Sequence, residues 1–187
     1  MTAISQDQDP KPLVEIKELK KYFPIHKGFL RREVGAVRAV DDVSFYINEG
    51  ETVGLVGESG CGKTTTARCI VKAIDATAGE IMYRTVDGST VDLTQLSNAE
   101  MRPLRRDIQM IFQDPMTSLN PVFNIGNQLM ESLALTHKEG RKNLFQRAVD
   151  SLRQVNVAAP ERRLEDFPHQ MSGGMKQRVV GAIAMSL

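Results

Sequence analysis

Gly57-Glu58-Ser59-Gly60-Cys61-Gly62-Lys63-Thr64 is the stretch on which the reading of this chain turns. Its spacing is G-x-x-x-x-G-K-[ST]. The apolar run Thr52-Val53-Gly54-Leu55-Val56 comes before it and Thr65 to Ile74 after it, so a strand is expected to lead into the loop and a helix to leave it. Those are the surroundings in which such a loop cradles phosphate. Glycines permit tight curvature and let amide N–H groups face an anion with no Cβ in the way. Lys63 is expected to set its ammonium on the outer phosphates, Thr64 to hold Mg²⁺, and the helix to offer its positive end. The plainer reading is a strand–turn–helix corner that happens to be glycine-rich. With glycine at about 7% of average usage, that coincidence of two fixed glycines, a lysine and a threonine is rare. The expected ligand is a nucleotide.

The totals frame that expectation. A chain of 187 residues suits one domain with room for a small subdomain. Lys and Arg number 24 against 23 Asp and Glu, a net charge of +1, which gives no argument for nucleic acid as a partner. The two cysteines, Cys61 and Cys69, lie in and just after the loop, which argues against a structural disulfide and suits a reducing compartment. No apolar run approaches the roughly 18 residues of a membrane span. Met1 to Pro12 lacks the basic-then-apolar build of a secretion signal. The expectation is a cytosolic protein, or one held at a membrane only through partners.

Taken in order, residues 1–12 read as a disordered tail and 13–187 as one domain. Val14, Ile16 and Leu19 begin a strand that Tyr22-Phe23-Pro24 is expected to close, since proline cannot extend a ladder. Residues 24–36 read as a basic loop. Val37 to Ile47 returns to strand character, with Val43, Phe45 and Ile47 alternating against Ser44 and Tyr46. Thr52–Val56 has no alternation, as befits a strand covered on both faces. Ala67, Ile70, Val71 and Ile74 fall at helical spacing. Glu80–Tyr83 reads as a strand, Asp87-Gly88 as a hairpin turn, and Ser97-Asn98-Ala99-Glu100 as a capping box opening a short helix through Arg106. Ile108–Phe112 reads as a second buried strand. Beyond Pro121 only helices are expected: Asn124 caps one carrying Ile125, Leu129 and Leu133, and Leu144, Ala148, Leu152 and Val155 mark another. Residues 117–172 therefore read as a helical subdomain inserted into an α/β core.

Other candidate residues carry less by themselves. Ser172-Gly173-Gly174, opening a helix over 175–187, could offer a hydroxyl and open amides to a phosphate, but reads better in isolation as a serine N-cap with loop glycines. Gln113 could reach a metal or water, or be a loop glutamine. His26, His137 and His169 read as surface or capping histidines. No Asn-Lys-x-Asp element, by which a GTPase reads its base, occurs.

Together these pieces resemble the nucleotide-binding subunits of ABC transporters, and within them the oligopeptide and dipeptide (or nickel) importer branch. Gly57 to Thr64 matches the Walker A loop. Gln113, within Ile111-Phe112-Gln113-Asp114-Pro115, matches the Q-loop, and Gln113 to Pro121 is characteristic of the importer branch. Met171-Ser172-Gly173-Gly174-Met175 matches the signature motif, with Met175 where glutamine is usual, and Phe167 to Met175 again fits the branch. The resemblance runs from about residue 13 to the end and implies a P-loop NTPase core of the ABC ATPase type. With it come an N-terminal antiparallel β region and an inserted helical subdomain, the fold being incomplete at the C-terminus. The Walker B aspartate, catalytic glutamate, D-loop and switch histidine of the family have no counterpart in these residues, so the chain is expected to be a fragment that binds ATP with negligible turnover.

The resemblance also implies roles. Gly57, Ser59, Gly60, Cys61, Gly62, Lys63, Thr64 and Thr65 hold the ATP phosphates, Thr64 and Gln113 hold Mg²⁺, and Tyr22 stacks on adenine. Ser172, Gly173 and Gly174 close on the nucleotide of a second ABC ATPase subunit, arranged head to tail in a homo- or heterodimer. Two membrane-spanning permease subunits and an extracytoplasmic peptide-binding protein complete the implied assembly. The ATPase then sits at the cytoplasmic face of the inner membrane, peripheral through the permeases.

Overall fold

The computed structural model describes residues 12–28, 32–112 and 118–186. Gln113 and the N-terminal tail of residues 1–11 lie outside the described residues. The chain divides into two compact units, one ending at Arg105 and the other beginning at Arg106.

The first unit is built on a four-stranded antiparallel sheet ordered β2-β1-β3-β4. Its strands are β1 (Val14–Lys27), β2 (Arg32–Ile47), β3 (Ala78–Arg84) and β4 (Thr90–Asp92). The alternation of Val43, Phe45 and Ile47 against exposed Ser44 and Tyr46 is realised in β2. Contrary to expectation, β1 runs on through Pro24, which pairs with Ala36, and the supposed basic loop of residues 24–36 is largely a β-hairpin. The reason is local. β1 pairs with β3 only as far as Lys20 opposite Ala78, so among the described residues β2 is the one partner strand of residues 21–27. On such an edge the missing proline N–H costs no ladder bond.

Two further expectations fail. Neither Thr52–Val56 nor Ile108–Phe112 forms a strand, and Val56 is 97% exposed. A buried parallel strand needs ladder partners beside it and cover on both faces. Among the described residues no strand pairs with either run. Helix α1 (Lys63–Ile70) is correspondingly shorter than expected, and its buried side chains are Thr66 and Cys69 rather than an Ala67–Ile70–Val71–Ile74 stripe. It packs on β1 and β2. Helix α2 (Asn98–Leu104) carries the expected box: the Glu100 carboxylate accepts from the Ser97 N–H at 2.8 Å, and Ser97 Oγ accepts from the Glu100 N–H.

The second unit is helical: α3 (Ile125–Thr136), α4 (Arg141–Gln154), the short α5 (Pro160–Arg163), a 3₁₀ turn (Pro168–Gln170) and α6 (Gly173–Met185). The helical periods read from sequence are those that bury. Ile125, Leu129, Leu133, Leu144, Ala148 and Leu152 share one core with Val179 and Ala182. Asn124 Oδ1 accepts from the Asn127 N–H at 2.8 Å, capping α3 as expected. Gly126 is required by close approach, since a Cβ there would lie 2.8 Å from the Leu164 carbonyl oxygen.

The β3–β4 turn makes a pH-dependent prediction. Asp87 accepts from Thr85 Oγ1 and from the N–H and hydroxyl of Ser89, and these bonds hold its carboxyl down at about 2. A carboxylate whose folded-state pKa is depressed stabilises above its unfolded value and loses that contribution as pH falls through the folded one. The Tm gap between the native chain and Asp87→Asn should be full near neutral pH, shrink below about pH 4 and vanish near pH 2. Melting both proteins across that range is the check.

Candidate nucleotide site

Gly62 forms the corner of the loop, in left-handed backbone with φ +94°, immediately before α1. A Cβ there would lie 2.1 Å from the Ala39 carbonyl oxygen and 3.7 Å from Val40 Cγ2, so only glycine lets the loop seat on β2. The strand is shaped to meet it. Lys21 pairs with Val40 but Tyr22 pairs with Arg38, which leaves Ala39 as an extra residue, a β-bulge whose carbonyl faces Gly62.

Within the loop, the Cys61 N–H donates to the Glu58 carbonyl at 3.3 Å. Lys63 Nζ arches back over the turn and donates to the carbonyls of Gly57 (2.7 Å) and Glu58 (2.6 Å). Cys61 Sγ lies 3.4 Å from the same nitrogen. Gly60 is also left-handed, at φ +84°. Thr66 is anchored by its hydroxyl on the Gly62 carbonyl at 3.1 Å, while Thr64 is exposed and Thr65 half-buried in the first turn. Helix α1 begins with no side-chain cap and no acidic residue in its first turn. A lysine held over a glycine turn, beside an uncapped helix start, suits a polyphosphate, and an exposed threonine hydroxyl suits a hard cation. Gln113, the other expected Mg²⁺ ligand, lies outside the described residues.

Tyr22 and Phe23 project from opposite faces of β1. Tyr22 is half-buried: its hydroxyl donates to Asp41, its N–H donates to Thr77 Oγ1 at 2.9 Å, and the Arg38 guanidinium sits 5.6 Å from its ring centre. The hydroxyl bond pushes the Tyr22 phenol up and holds the Asp41 carboxyl below its ordinary value. Phe23 shares a face with Lys21, whose ammonium lies 5.0 Å from the ring centre, and hence with Val40 beside Gly62. Burial pushes the Cys69 thiol up, and the Lys21 charge partly offsets that. So the loop-side aromatic is Phe23, 42% exposed. The signal was present in the sequence, because counting by two from buried Leu19 passes through Lys21 to Phe23.

In the second unit, Ser172 is the N-cap of α6 and its Oγ accepts from the Met175 N–H at 3.4 Å. Met171 is buried in the core, which fixes the start of the helix. Ser172, Gly173 and Gly174 are exposed, and a Cβ at either glycine would meet nothing within 4 Å.

The ABC transporter family profile matches residues 40–187, and the chain belongs to that family. It is 42% identical over 175 residues to the oligopeptide transport ATP-binding protein AppD of Bacillus subtilis (strain 168), covering 93% of this chain and 51% of that protein. With the dipeptide transport ATP-binding protein DppD of Escherichia coli (strain K12) it shares 44% over 156 residues, 82% of this chain and 47% of the relative. This chain thus spans about half the length of the curated relatives it matches. A dimeric ATP-binding cassette in a post-hydrolysis state, bound to ADP and phosphate, is 28% identical, with a TM-score of 0.73 over 93% of this chain and 68% of that one. The fold is that of an ABC ATPase.

Gly62→Ala should damage both fold and site. Left-handed backbone in a non-glycine residue costs about 1–3 kcal/mol, before the contact with Ala39 is counted. The expected result is a lower Tm together with loss of nucleotide binding, measured by thermal melting and calorimetric titration of one preparation.

Proposed function

We propose that the whole protein is the ATP-binding and ATP-hydrolysing subunit that energises import of oligopeptides or dipeptides across a membrane. The observation that carries the reading is the Lys63 ammonium held across the Gly57–Gly62 turn at the open start of α1. Lys63 exchanges those two carbonyls for phosphate oxygens, and the amides of Gly60 to Thr65 take the remaining phosphate charge. Thr64 and Gln113 would hold Mg²⁺, which would supply positive charge against that of the phosphates. The adenine ring stacks on Phe23, on the face of β1 that meets the loop, in place of Tyr22.

Gly173 and Gly174 support the trans arrangement. Glycine in a helix costs roughly 1 kcal/mol relative to alanine, and neither residue is crowded within its own unit. Space kept clear on an exposed helix start suits approach from outside, here the γ-phosphate of a nucleotide bound by a second ABC ATPase subunit. Ser172 adds a hydroxyl at the same helix start. The relatives' names, which specify oligopeptide and dipeptide transport, support the cargo class. No helix among the described residues is long and apolar enough to cross a membrane. In the proposed assembly two permease subunits hold the ATPase at the cytoplasmic face of the inner membrane. An extracytoplasmic peptide-binding protein would deliver the cargo.

Lys63→Ala removes a charge-assisted contact of about 1.5–3 kcal/mol and should weaken binding of a fluorescent ATP analogue at least about tenfold. Unchanged affinity in that variant would remove the phosphate-loop reading. For the transport role, the whole protein should copurify with membrane-spanning subunits in detergent; recovery without them would contradict it.

A further inference from the structure

We propose that Tyr22 is a positioning residue, clamping the bulge that seats the phosphate loop. This rests on Gly57–Thr64 being the nucleotide site, and it gives Tyr22 a different task from base stacking. Three contacts fasten the residue away from the loop face. Its hydroxyl donates to Asp41, Arg38 lies over its ring, and its N–H donates to Thr77 Oγ1. Arg38 Nη1 in turn donates to Asp41 Oδ2 at 3.4 Å. Arg38 and Asp41 stand on either side of Ala39-Val40, so the Tyr22 phenol and the Arg38 guanidinium converge on one carboxylate and hold the extra residue in place.

The bulge matters because of what Ala39 does. Were the register to slip so that Tyr22 paired with Ala39, alternation along β2 would carry Arg38 to the opposite face and re-aim the Ala39 carbonyl. That carbonyl is the surface on which left-handed Gly62 rests. Lys63 and the first turn of α1 follow directly in the chain, so the phosphate-binding groups inherit their placement from the bulge. Through this route Tyr22 touches no ligand; it sets the fraction of molecules whose loop is ready to bind. An apparent dissociation constant rises in inverse proportion to that fraction.

Positioning and stacking differ in which ligand notices. A stacking ring is felt only by a ligand with a base, whereas a clamp on the loop is felt equally by a bare polyphosphate. The test is calorimetric titration of the full chain with Mg·ATP and, separately, with Mg·tripolyphosphate, well below the melting temperature of every variant. Tyr22→Phe keeps the ring and removes only the hydroxyl. It and Asp41→Asn should each weaken both ligands by the same factor, about three- to tenfold for loss of one hydrogen bond. The double variant should be little worse than either single one, because both break the same contact. Phe23→Ala should weaken ATP and leave tripolyphosphate unchanged.

Arg38→Gln provides a second, milder break of the clamp should Asp41→Asn fold poorly, with the same equal loss for both ligands. The proposal is overturned if Tyr22→Phe binds both ligands as the native chain does. It is equally overturned if Tyr22 variants weaken ATP and spare tripolyphosphate, which would make Tyr22 the stacking ring. Failure of the native chain to bind either ligand would instead overturn the nucleotide reading itself, and this inference with it.

Discussion

The close approach of Gly62 to the Ala39 carbonyl is the constraint around which the first unit is arranged. An oxygen 2.1 Å from where a Cβ would stand admits one residue type, and the strand bulges at that point. Helix α1 can start at Lys63 only because Gly62 turns the chain there. The long β1–β2 hairpin extends on one side of the contact, carrying the aromatic residues, and the phosphate loop extends on the other. The end of the loop thus rests on an antiparallel sheet, and the run Thr52–Val56 before it forms no strand.

That support explains an otherwise puzzling mixture of order and exposure. Residues 51–60 are exposed throughout, yet the end of the loop is closely packed at Gly62 and Thr66. Lys63 bridges the two regimes, binding the carbonyls of Gly57 and Glu58 from a helix whose other side rests on β1 and β2. An ammonium satisfied by two neutral carbonyls is readily claimed by phosphate oxygens, which bear full charge. In the helical unit the division of labour is similar: Met171 anchors the start of α6 in the core while Ser172, Gly173 and Gly174 remain at the surface.

Much of this was legible in the residues, for reasons that differ from element to element. Asn124, Ser97 and the Leu129–Leu133 and Leu144–Leu152 periods act within one or two helical turns, so local spacing was enough to place them. Thr52–Val56 and Ile108–Phe112 were misread because strand formation depends on distant partners, and apolar composition cannot say whether a ladder is available. Pro24 misled for a related reason: whether a missing N–H matters depends on which edge it faces. The phosphate loop was readable as a motif, but its dependence on Ala39 was not. A bulge is set by how two strands pair, here Lys21 with Val40 and Tyr22 with Arg38, and neither strand's own residues reveal that register.

The central claim is that Gly60 to Thr65 form the surface that receives nucleotide phosphate. Amide-resolved NMR of the ¹⁵N-labelled chain, titrated with Mg·ATP, tests it most directly. The account predicts saturable shifts concentrated at Gly60, Cys61, Gly62, Lys63, Thr64 and Thr65, accompanied by Phe23 on the loop-facing side of β1. Shifts confined to other parts of the chain, with those six amides unmoved at saturating nucleotide, would contradict it.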